Sequence, residues 1–347
     1  MVLFVSLIGS IGTGQGQTWT VCLAGPPTCQ FRGIQEALAA ASDGDTILVR
    51  AGSYRENLVI TKSRITLRGD DPRAVRLEAA EPLHAIEIDL SAVGVTIEGF
   101  TVRGAGQGQT GNFSGIFVGG AGAILQRNIF QDNNVGILVT NPIKEPVVQI
   151  LESTFTGNGK DIRISSQALI QGNRFEDEVE VGIGGYAEFR KNQGAILLIN
   201  GAALVEENRF TQVKVISFAV PGLPTILRRN QIIGTGQNIE EGSPEEGLII
   251  RVSSPLTVED NLITQHNFSA IVIDRSEAQV LLQRNTITNS GYGLYLIAGF
   301  PQFVLRVKGN TIERNQWGGV ILLSEDEEAR FEIVDNLIRL NQGSGIV

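Results

Sequence analysis

The chain has 347 residues, of which 42% are apolar and 19% charged, so it can bury a large core and is not a disordered polymer. Its 41 Gly, with one Met and two Trp, are typical of a turn-rich β protein and argue against long helices. With 28 Lys and Arg against 37 Asp and Glu, the net charge of −9 offers no basic excess for nucleic acid. Two His and two Cys are too few for a typical zinc site.

Residues 1–17 form an apolar N-terminal segment in which the uncharged run Val2–Ile11 precedes small and polar residues. This pattern is typical of a signal peptide, and the run is too short to span a bilayer. No Lys or Arg precedes it, so an apolar N-terminal strand is the alternative. In an exported chain the close spacing of Cys22 and Cys29 predicts a disulfide, whereas in a reducing compartment both would be free thiols. We expect an extracellular or periplasmic protein.

Residues 18–44 are predicted to form an N-terminal cap, and residues 45–347 a repeat array. Ile34, Leu38 and Ala41 fall on one helical face. A short helix with that face buried is suited to closing the open end of a stack of strands.

The repeat is a motif of the form apolar-x-x-Asn-x-apolar. Ser153 stands at one place where the Asn is missing, and Asn192 lacks the following apolar residue. Nine steps separate the first and last Asn, giving a mean spacing of about 23 residues. A second strand of the form Gly-apolar-x-apolar follows most motifs, as in Gly136–Val139 and Gly293–Leu296. The repeat Asn residues are Asn128, Asn173, Asn192, Asn208, Asn230, Asn261, Asn285, Asn310 and Asn336.

Short β-branched strands without helices between them cannot form an ordinary parallel α/β sheet, so we expect the strands to stack coil on coil. Asn tolerates the left-handed backbone of a sharp corner, and its amide can hydrogen-bond to the Asn of neighbouring coils. We therefore interpret the nine Asn residues as a structural ladder.

These repeats resemble the right-handed parallel β-helix superfamily, which contains pectate lyases, pectin methylesterases, polygalacturonases and NosD-type periplasmic proteins. The segments Ile34–Ala41, Gly44–Val49, Gly52–Asn57 and Ile65–Gly69 are similar to its N-terminal signature. The resemblance implies an all-β fold, a single-stranded right-handed parallel β-helix of roughly eleven coils with a short N-terminal capping helix. Enzymes and non-enzymes share this signature.

The chain lacks the strings that mark several enzymes of this superfamily. Ala85 follows His84 and Asn267 follows His266, so neither gives the His-Gly of a polygalacturonase-like hydrolase. Gly106–Gly111 matches a dinucleotide-binding pattern, but no helix follows it, so we interpret it as a loop.

The outward positions of the Gly-apolar-x-apolar strands form a mostly apolar face that offers little to the carboxylates of a uronate polymer, which argues against a typical calcium-dependent lyase. These positions are Phe117, Leu138, Arg163, Leu197, Ile249, Val272, Tyr295 and Ile321.

One charged interruption of this face, bracketed by the longer loops Gly104–Gly115 and Gly234–Gly247, is a candidate site. Arg163 is the candidate catalytic residue. We favour the interpretation that Lys160 and Arg163 form ion pairs with Glu178 or Glu180. A calcium site is the alternative. Apart from that calcium we expect no cofactor. The candidate calcium ligands are Glu176, Asp177, Glu178 and Glu180.

Aromatic residues in or before the outward strands are candidates for stacking on sugar rings, with loop packing as the alternative. Phe117, Tyr295 and Trp317 are the candidate carbohydrate contacts, and Phe113, Phe268 and Tyr292 lie in the turns leading into the strands.

Two functions compete at this point. The first is an exported, non-catalytic β-helix that binds a polysaccharide or a cell-envelope protein. The second is a polysaccharide lyase or glycoside hydrolase with an unrecognised site. A NosD-like role in metal delivery is a third, but two His and one Met offer little to copper.

The sequence stops at Gly343–Val347, inside an outward strand. We expect either that the natural chain continues or that a second copy docks end to end, because repeat arrays block their open ends.

Overall fold

The computed structural model describes residues 16–106, 111–140, 145–183, 185–217, 224–236, 245–299, 303–323 and 329–347. Most of the leader 1–17 and the centre of the Gly106–Gly111 loop lie outside these ranges. One helix, Ile34–Ala40, precedes a long array of strands, and the paired strands run parallel. The fold is an all-β parallel solenoid.

Most coils contribute one strand to each of three sheets. Sheet 1 contains 14 strands: Thr18–Val21, Thr46–Val49, Thr66–Gly69, Thr96–Glu98, Ile124–Gln126, Val148–Leu151, Gln167–Gln171, Tyr186–Arg190, Ala202–Glu206, Thr225–Arg228, Leu256–Glu259, Val280–Gln283, Val304–Lys308 and Arg330–Val334. Sheet 2 contains Gly52–Arg55, Val75–Glu78, Thr101–Arg103, Ile129–Gln131, Thr154–Thr156, Gln231–Ile233, Leu262–Thr264, Thr286–Thr288, Thr311–Glu313 and Leu337–Arg339. Sheet 3 contains Leu58–Ile60, Ile86–Ile88, Ser114–Val118, Val135–Val139, Lys160–Ile164, Glu178–Val181, Gln193–Ile199, Arg209–Ser217, Leu248–Val252, Ser269–Ser276, Tyr292–Gly299, Gly318–Leu323 and Ser344–Ile346.

Sheet 1 holds 14 strands, more than the roughly eleven coils that the resemblance implies. The N-terminal coils before Asn128 carry no repeat Asn, so the motif does not count all of them.

The N-terminal cap closes the stack as the sequence predicts. The helix Ile34–Ala40 buries Ile34, Ala37 and Leu38. The Glu56 carboxylate accepts hydrogen bonds of 2.9 Å from the backbone N–H groups of Ile34 and of the next residue, which satisfies the helix N-terminus. Cys22 and Cys29 form a disulfide beside this cap.

A continuous ladder of polar side chains runs along the first corner of the coils, between sheets 1 and 2. Asn285 is representative: its Oδ1 accepts from the backbone N and from Nδ2 of Asn261, both at 3.0 Å. Its Nδ2 donates to Oδ1 of Asn310 at 3.0 Å and to the carbonyl of Val258 at 2.9 Å. The same pattern joins Asn128, Ser153, Asn173, Asn192, Asn208, Asn230, Asn261, Asn285, Asn310 and Asn336.

The expected left-handed backbone at the ladder Asn is wrong by one residue. Asp260 and Arg284, each directly before a ladder Asn, have φ of 55° and 53°. Their side chains are exposed, whereas the Asn that follows each is buried. The residue before each of these Asn residues therefore adopts the left-handed turn conformation with its side chain in solvent. The Asn itself points its amide inward, where it bonds to the neighbouring coil.

A second ladder, which the sequence motif does not reveal, occupies the corner between sheets 2 and 3. The backbone N–H of Asn133 donates to Oδ1 of Asn158 at 3.1 Å, and Ser290 donates in the same way to Asn315. His266 takes an equivalent place, with its Nε2 3.2 Å from the carbonyl of Ile232. Asn, Ser and His alternate here, which is why no single letter repeats.

This second corner disappears in the middle of the array. Gln193–Ile199 and Arg209–Ser217 run as continuous strands from sheet 2 into sheet 3. The ladder residues of these two coils are separated by 16 and 22 residues, and those of the coil before them by only 19. The array therefore narrows at this waist, and Gly194 lies where a Cβ would come 2.9 Å from the ring of Phe210.

Asn285→Ala is expected to lower the free energy of unfolding by about 1–3 kcal/mol, because it leaves buried groups of Asn261 and Val258 without partners. Urea unfolding followed by circular dichroism measures this. Thr286→Ala, at the exposed neighbouring position, is the control. Equal stability of the two variants would contradict a buried ladder.

Intact mass spectrometry tests the disulfide independently. Reduction is expected to add two hydrogens to the purified chain and to make Cys22 and Cys29 alkylatable. A chain whose thiols are alkylated before reduction would contradict the pairing.

Candidate functional site

The outward face of sheet 3 carries most of the residues singled out in the sequence. The side chains that lie side by side along the middle of this face form a central row, which the register of the strands defines. This row differs from the predicted outward positions at one residue. Leu197 is fully buried, and Leu198 takes the outward position beside Glu180. The prediction for Leu197 is wrong by one residue: the parallel register places Leu198 beside Glu180 on the outward face, so the side chain of Leu197 points into the core. The row is Glu87, Phe117, Leu138, Arg163, Glu180, Leu198, Lys214, Ile249, Val272, Tyr295 and Ile321.

Four aromatic rings gather at the C-terminal end of this face. Phe268, Tyr292 and Trp317 approach sheet 3 from the turn of three successive coils, and Tyr295 is in the central row. The ring centroids of Tyr292 and Trp317 are 5.3 Å apart, and those of Phe268 and Trp317 are 5.7 Å apart. Trp317 remains 45% exposed. We call these four residues the aromatic cluster.

A smaller ring group lies toward the N-terminal end of the same face. Phe117 packs on His84 with centroids 4.8 Å apart, and Phe113 meets the edge of that imidazole at 5.6 Å. The backbone N–H of Ser114 donates to Nδ1 of His84 at 3.0 Å. Burial lowers the pKa of His84, so the ring is held neutral in an apolar setting. The predicted sugar contacts Phe117 and Tyr295 therefore belong to separate groups, eight strands apart.

The charged centre of sheet 3 is held together by ion pairs. The ammonium of Lys160 lies 2.8 Å from Glu178 and 2.7 Å from Glu180. Arg163 lies 3.5 Å from Glu180 and donates to the side chain of Asn112 at 3.3 Å. This is the pairing that the sequence favoured over a metal site.

The calcium interpretation of Glu176, Asp177, Glu178 and Glu180 is not supported by their positions. Within the described ranges, no group of three or more His, Cys, Asp or Glu side chains is arranged to hold a metal ion. Glu178 and Glu180 are two residues apart in one strand, so both face outward, and Lys160 of the preceding coil pairs with both. Glu176 instead accepts a hydrogen bond from the hydroxyl of Thr156.

The cations of this centre are poorly suited to proton abstraction. Burial alone would lower the pKa of Lys160, but its hydrogen bonds to Glu178 and Glu180 outweigh burial and raise it. A lysine base needs a pKa lowered toward the working pH. Arg163, the candidate catalytic residue, is bonded to Glu180 and Asn112 in the same network.

Asp161 is a buried acid that no sequence pattern indicates. Its side chain is fully buried, and its Oδ2 accepts from the backbone N–H groups of Glu176 and Asp177 at 2.9 and 2.8 Å. Nδ2 of Asn158 donates to its other oxygen at 3.0 Å. Burial raises its pKa to about 6, and these hydrogen bonds lower it only in part. Asp161 thus fixes the start of the waist, where the second ladder ends.

The sequence and the fold of this chain are similar to those of known proteins. Residues 186–347 match the family model described as the right handed beta helix region. The parallel solenoid of this chain has the right-handed β-helix fold that this model describes. It is 28% identical over 177 residues to a protein of Pseudomonas aeruginosa described as a probable ABC transporter binding protein, NosD. That match covers 47% of this β-helix chain and 39% of the relative, so the chain spans well under half of the relative's length.

Two solved structures show the same β-helix fold. The catalytic domain of a GH87 α-1,3-glucanase in complex with tetrasaccharides has a TM-score of 0.56 at 13% identity, covering 96% of this chain and 66% of that domain. PfbA, a surface adhesin of Streptococcus pneumoniae, has a TM-score of 0.52 at 12% identity, covering 90% and 87%. In the part of the β-helix that the structure describes, no helix is long and apolar enough to cross a membrane.

The carboxyl of Asp161 is expected to titrate near pH 6 in carbon-detected NMR. Its pKa is raised above the ordinary 3.8, so the folded state holds the proton between these values and the stability that Asp161 contributes falls as pH rises from about 4 to 6. Titration of Asp161 at or below pH 4 would contradict this environment.

Proposed function

We propose that this β-helix is an exported, non-catalytic protein that binds carbohydrate through the aromatic cluster on sheet 3. The observation that carries the proposal is the partial exposure of Trp317 beside Tyr292 and Phe268. Aromatic rings that offer a face to solvent bind the apolar faces of sugar rings, and their own packing keeps them in place without a loss of side-chain entropy on binding. Exposed Ile297 and Leu323 extend the apolar surface next to them.

The charged centre of sheet 3 supports a binding role over a catalytic one. Lys160, Arg163, Glu178 and Glu180 neutralise one another, and the raised pKa of Lys160 opposes its use as a base. The glucanase and the adhesin have the same fold, which by itself favours neither role.

A glycoside hydrolase or polysaccharide lyase is the second candidate, and one observation favours it. Burial raises the pKa values of both Asp161 and Asp177, and neighbouring acids with raised pKa values occur at catalytic sites. However, both oxygens of Asp161 already accept hydrogen bonds, so this acid is engaged in holding the backbone.

Export is part of the proposal because disulfides persist in oxidising compartments and are rare in the cytosol. The Cys22–Cys29 pair lies at the cap, where it ties the first coil to the helix region. A polysaccharide outside the cytoplasm is therefore the expected ligand.

Trp317→Ala is expected to weaken binding of the chain to its glycan on a glycan array by about tenfold or more, because the most exposed ring of the cluster is lost. Tyr186→Ala is the matched control, since Tyr186 is a half-buried aromatic residue on sheet 1. Thermal unfolding of both variants checks that each is folded.

The same glycans are assayed for new reducing ends and unsaturated products. Binding without products, lost in Trp317→Ala and kept in Tyr186→Ala, is the expected result. Product formation by the wild type would favour the enzyme, and binding that is equal in the two variants would reject the aromatic cluster as the site.

A further inference from the structure

A recess lies over the waist, on sheet 2, away from the aromatic cluster. The coils there are short, whereas 31 residues separate the ladder residues Asn230 and Asn261 beyond it. Outward positions at the waist carry the small side chains of Ala195 and Thr211. Together these features leave a cavity of about 400 Å³ whose lining also includes Arg174, Arg209 and Gln193.

Parallel register places two arginines in one line across this recess. Arg174 bridges to Gln193, Gln193 pairs with Arg209, and Arg209 pairs with Gln231. All four side chains are exposed. Arg174 and Arg209 are two strands apart, so their backbones lie about 10 Å apart along the array. The row therefore alternates a guanidinium with an amide, both of which donate hydrogen bonds.

The charges of these two arginines are not neutralised within the described part of the chain. Among the described residues, neither Arg174 nor Arg209 forms an ion pair, and the cavity lining contains no Asp or Glu. Arg209 donates one hydrogen bond, to Gln231 at 3.1 Å, which leaves most of its donors free. By contrast, Arg228 and Arg229 on the same coils both contact Glu206.

A neighbouring cavity of about 510 Å³ shares Gln193 and Arg209 with the recess and adds Lys191 and Arg229. Lys191 and Arg229 both pair with Glu207, so the unpaired positive charge is that of Arg174 and Arg209. In a chain with a net charge of −9, this local excess of cations is a specific feature and not a general property of the surface.

We propose that the waist of sheet 2 is a second binding site, which takes an acidic polysaccharide with its chain along the array. Guanidinium groups bind carboxylate or sulfate through paired, charge-assisted hydrogen bonds. Arg174 and Arg209 bind anionic groups about 10 Å apart, and Gln193 and Gln231 donate to the hydroxyl or ring oxygens between them. The open, extended shape of the row fits a polymer segment better than a single small anion. This site is independent of the aromatic cluster, which is on another sheet.

The test compares two double variants with the same change in charge. Arg174→Gln/Arg209→Gln removes both cations of the proposed site. All four residues of the row are then Gln, as Gln193 and Gln231 already are. Arg55→Gln/Arg76→Gln is the matched control, because both arginines are exposed on sheet 2 outside the recess. The probes are a short oligouronate, dextran sulfate, unmodified dextran and duplex DNA, each measured by calorimetry at about 0.15 M salt, where long-range attraction is screened.

The expected result is that the oligouronate, dextran sulfate or both bind the wild type and the control pair alike, and that Arg174→Gln/Arg209→Gln weakens this binding by about tenfold or more. Unmodified dextran should not depend on these arginines. Failure of both anionic polymers to bind, equal weakening in the two double variants, or tighter binding of DNA would overturn the proposal. Trp317→Ala should leave binding of the anionic polymers unchanged, which separates failure of this site from failure of the aromatic cluster.

Discussion

The amide ladder at the first corner is the interaction on which the rest of the array depends. At each corner the chain leaves strand geometry, and its buried N–H and C=O groups need partners that the same coil cannot supply. The Asn of one coil supplies them to its neighbours, as Asn285 does for Asn261 and Val258. A single coil is consequently unstable alone, and stacking is required before any face of the β-helix exists.

Fixing one corner leaves the remaining length of each coil free to vary. The spacing between ladder residues ranges from 16 residues at Asn192–Asn208 to 31 at Asn230–Asn261. The coils that begin at Asn192 and Asn208 omit the second corner and run sheet 2 directly into sheet 3, whereas the coil that begins at Asn230 has residues 234–247 between its sheet 2 and sheet 3 strands. The surface relief of this protein is therefore set by coil length, and the recess at the waist is a direct consequence of two shortened coils.

Sequence patterns predicted the features that depend on one residue type at a fixed spacing. The Asn ladder, the cap helix and the disulfide are of this kind. The second ladder escaped prediction because Asn133, Ser290 and His266 supply equivalent hydrogen bonds from different side chains. Leu197 was misplaced by one residue, because successive side chains of a strand face opposite sides of the sheet and the register with Glu180 is needed to identify the outward one. The alignment of Arg174 with Arg209 on one face depends on the strand register of three successive coils, and a local sequence pattern does not contain that register.

The arrangement of charge also separates scaffold from candidate sites. On sheet 1, Glu98 lies between Arg68 and Arg127, and Glu206 contacts Arg228 and Arg229, so outward charges neutralise one another between coils. Exposed pairs of this kind add little stability individually, but they prevent like charges from stacking at the short distance between strands. Arg174 and Arg209, at the waist, form no such pair among the described residues. Their backbones lie about 10 Å apart on either side of Gln193, and two guanidinium groups at this spacing favour a ligand that carries repeated negative charges.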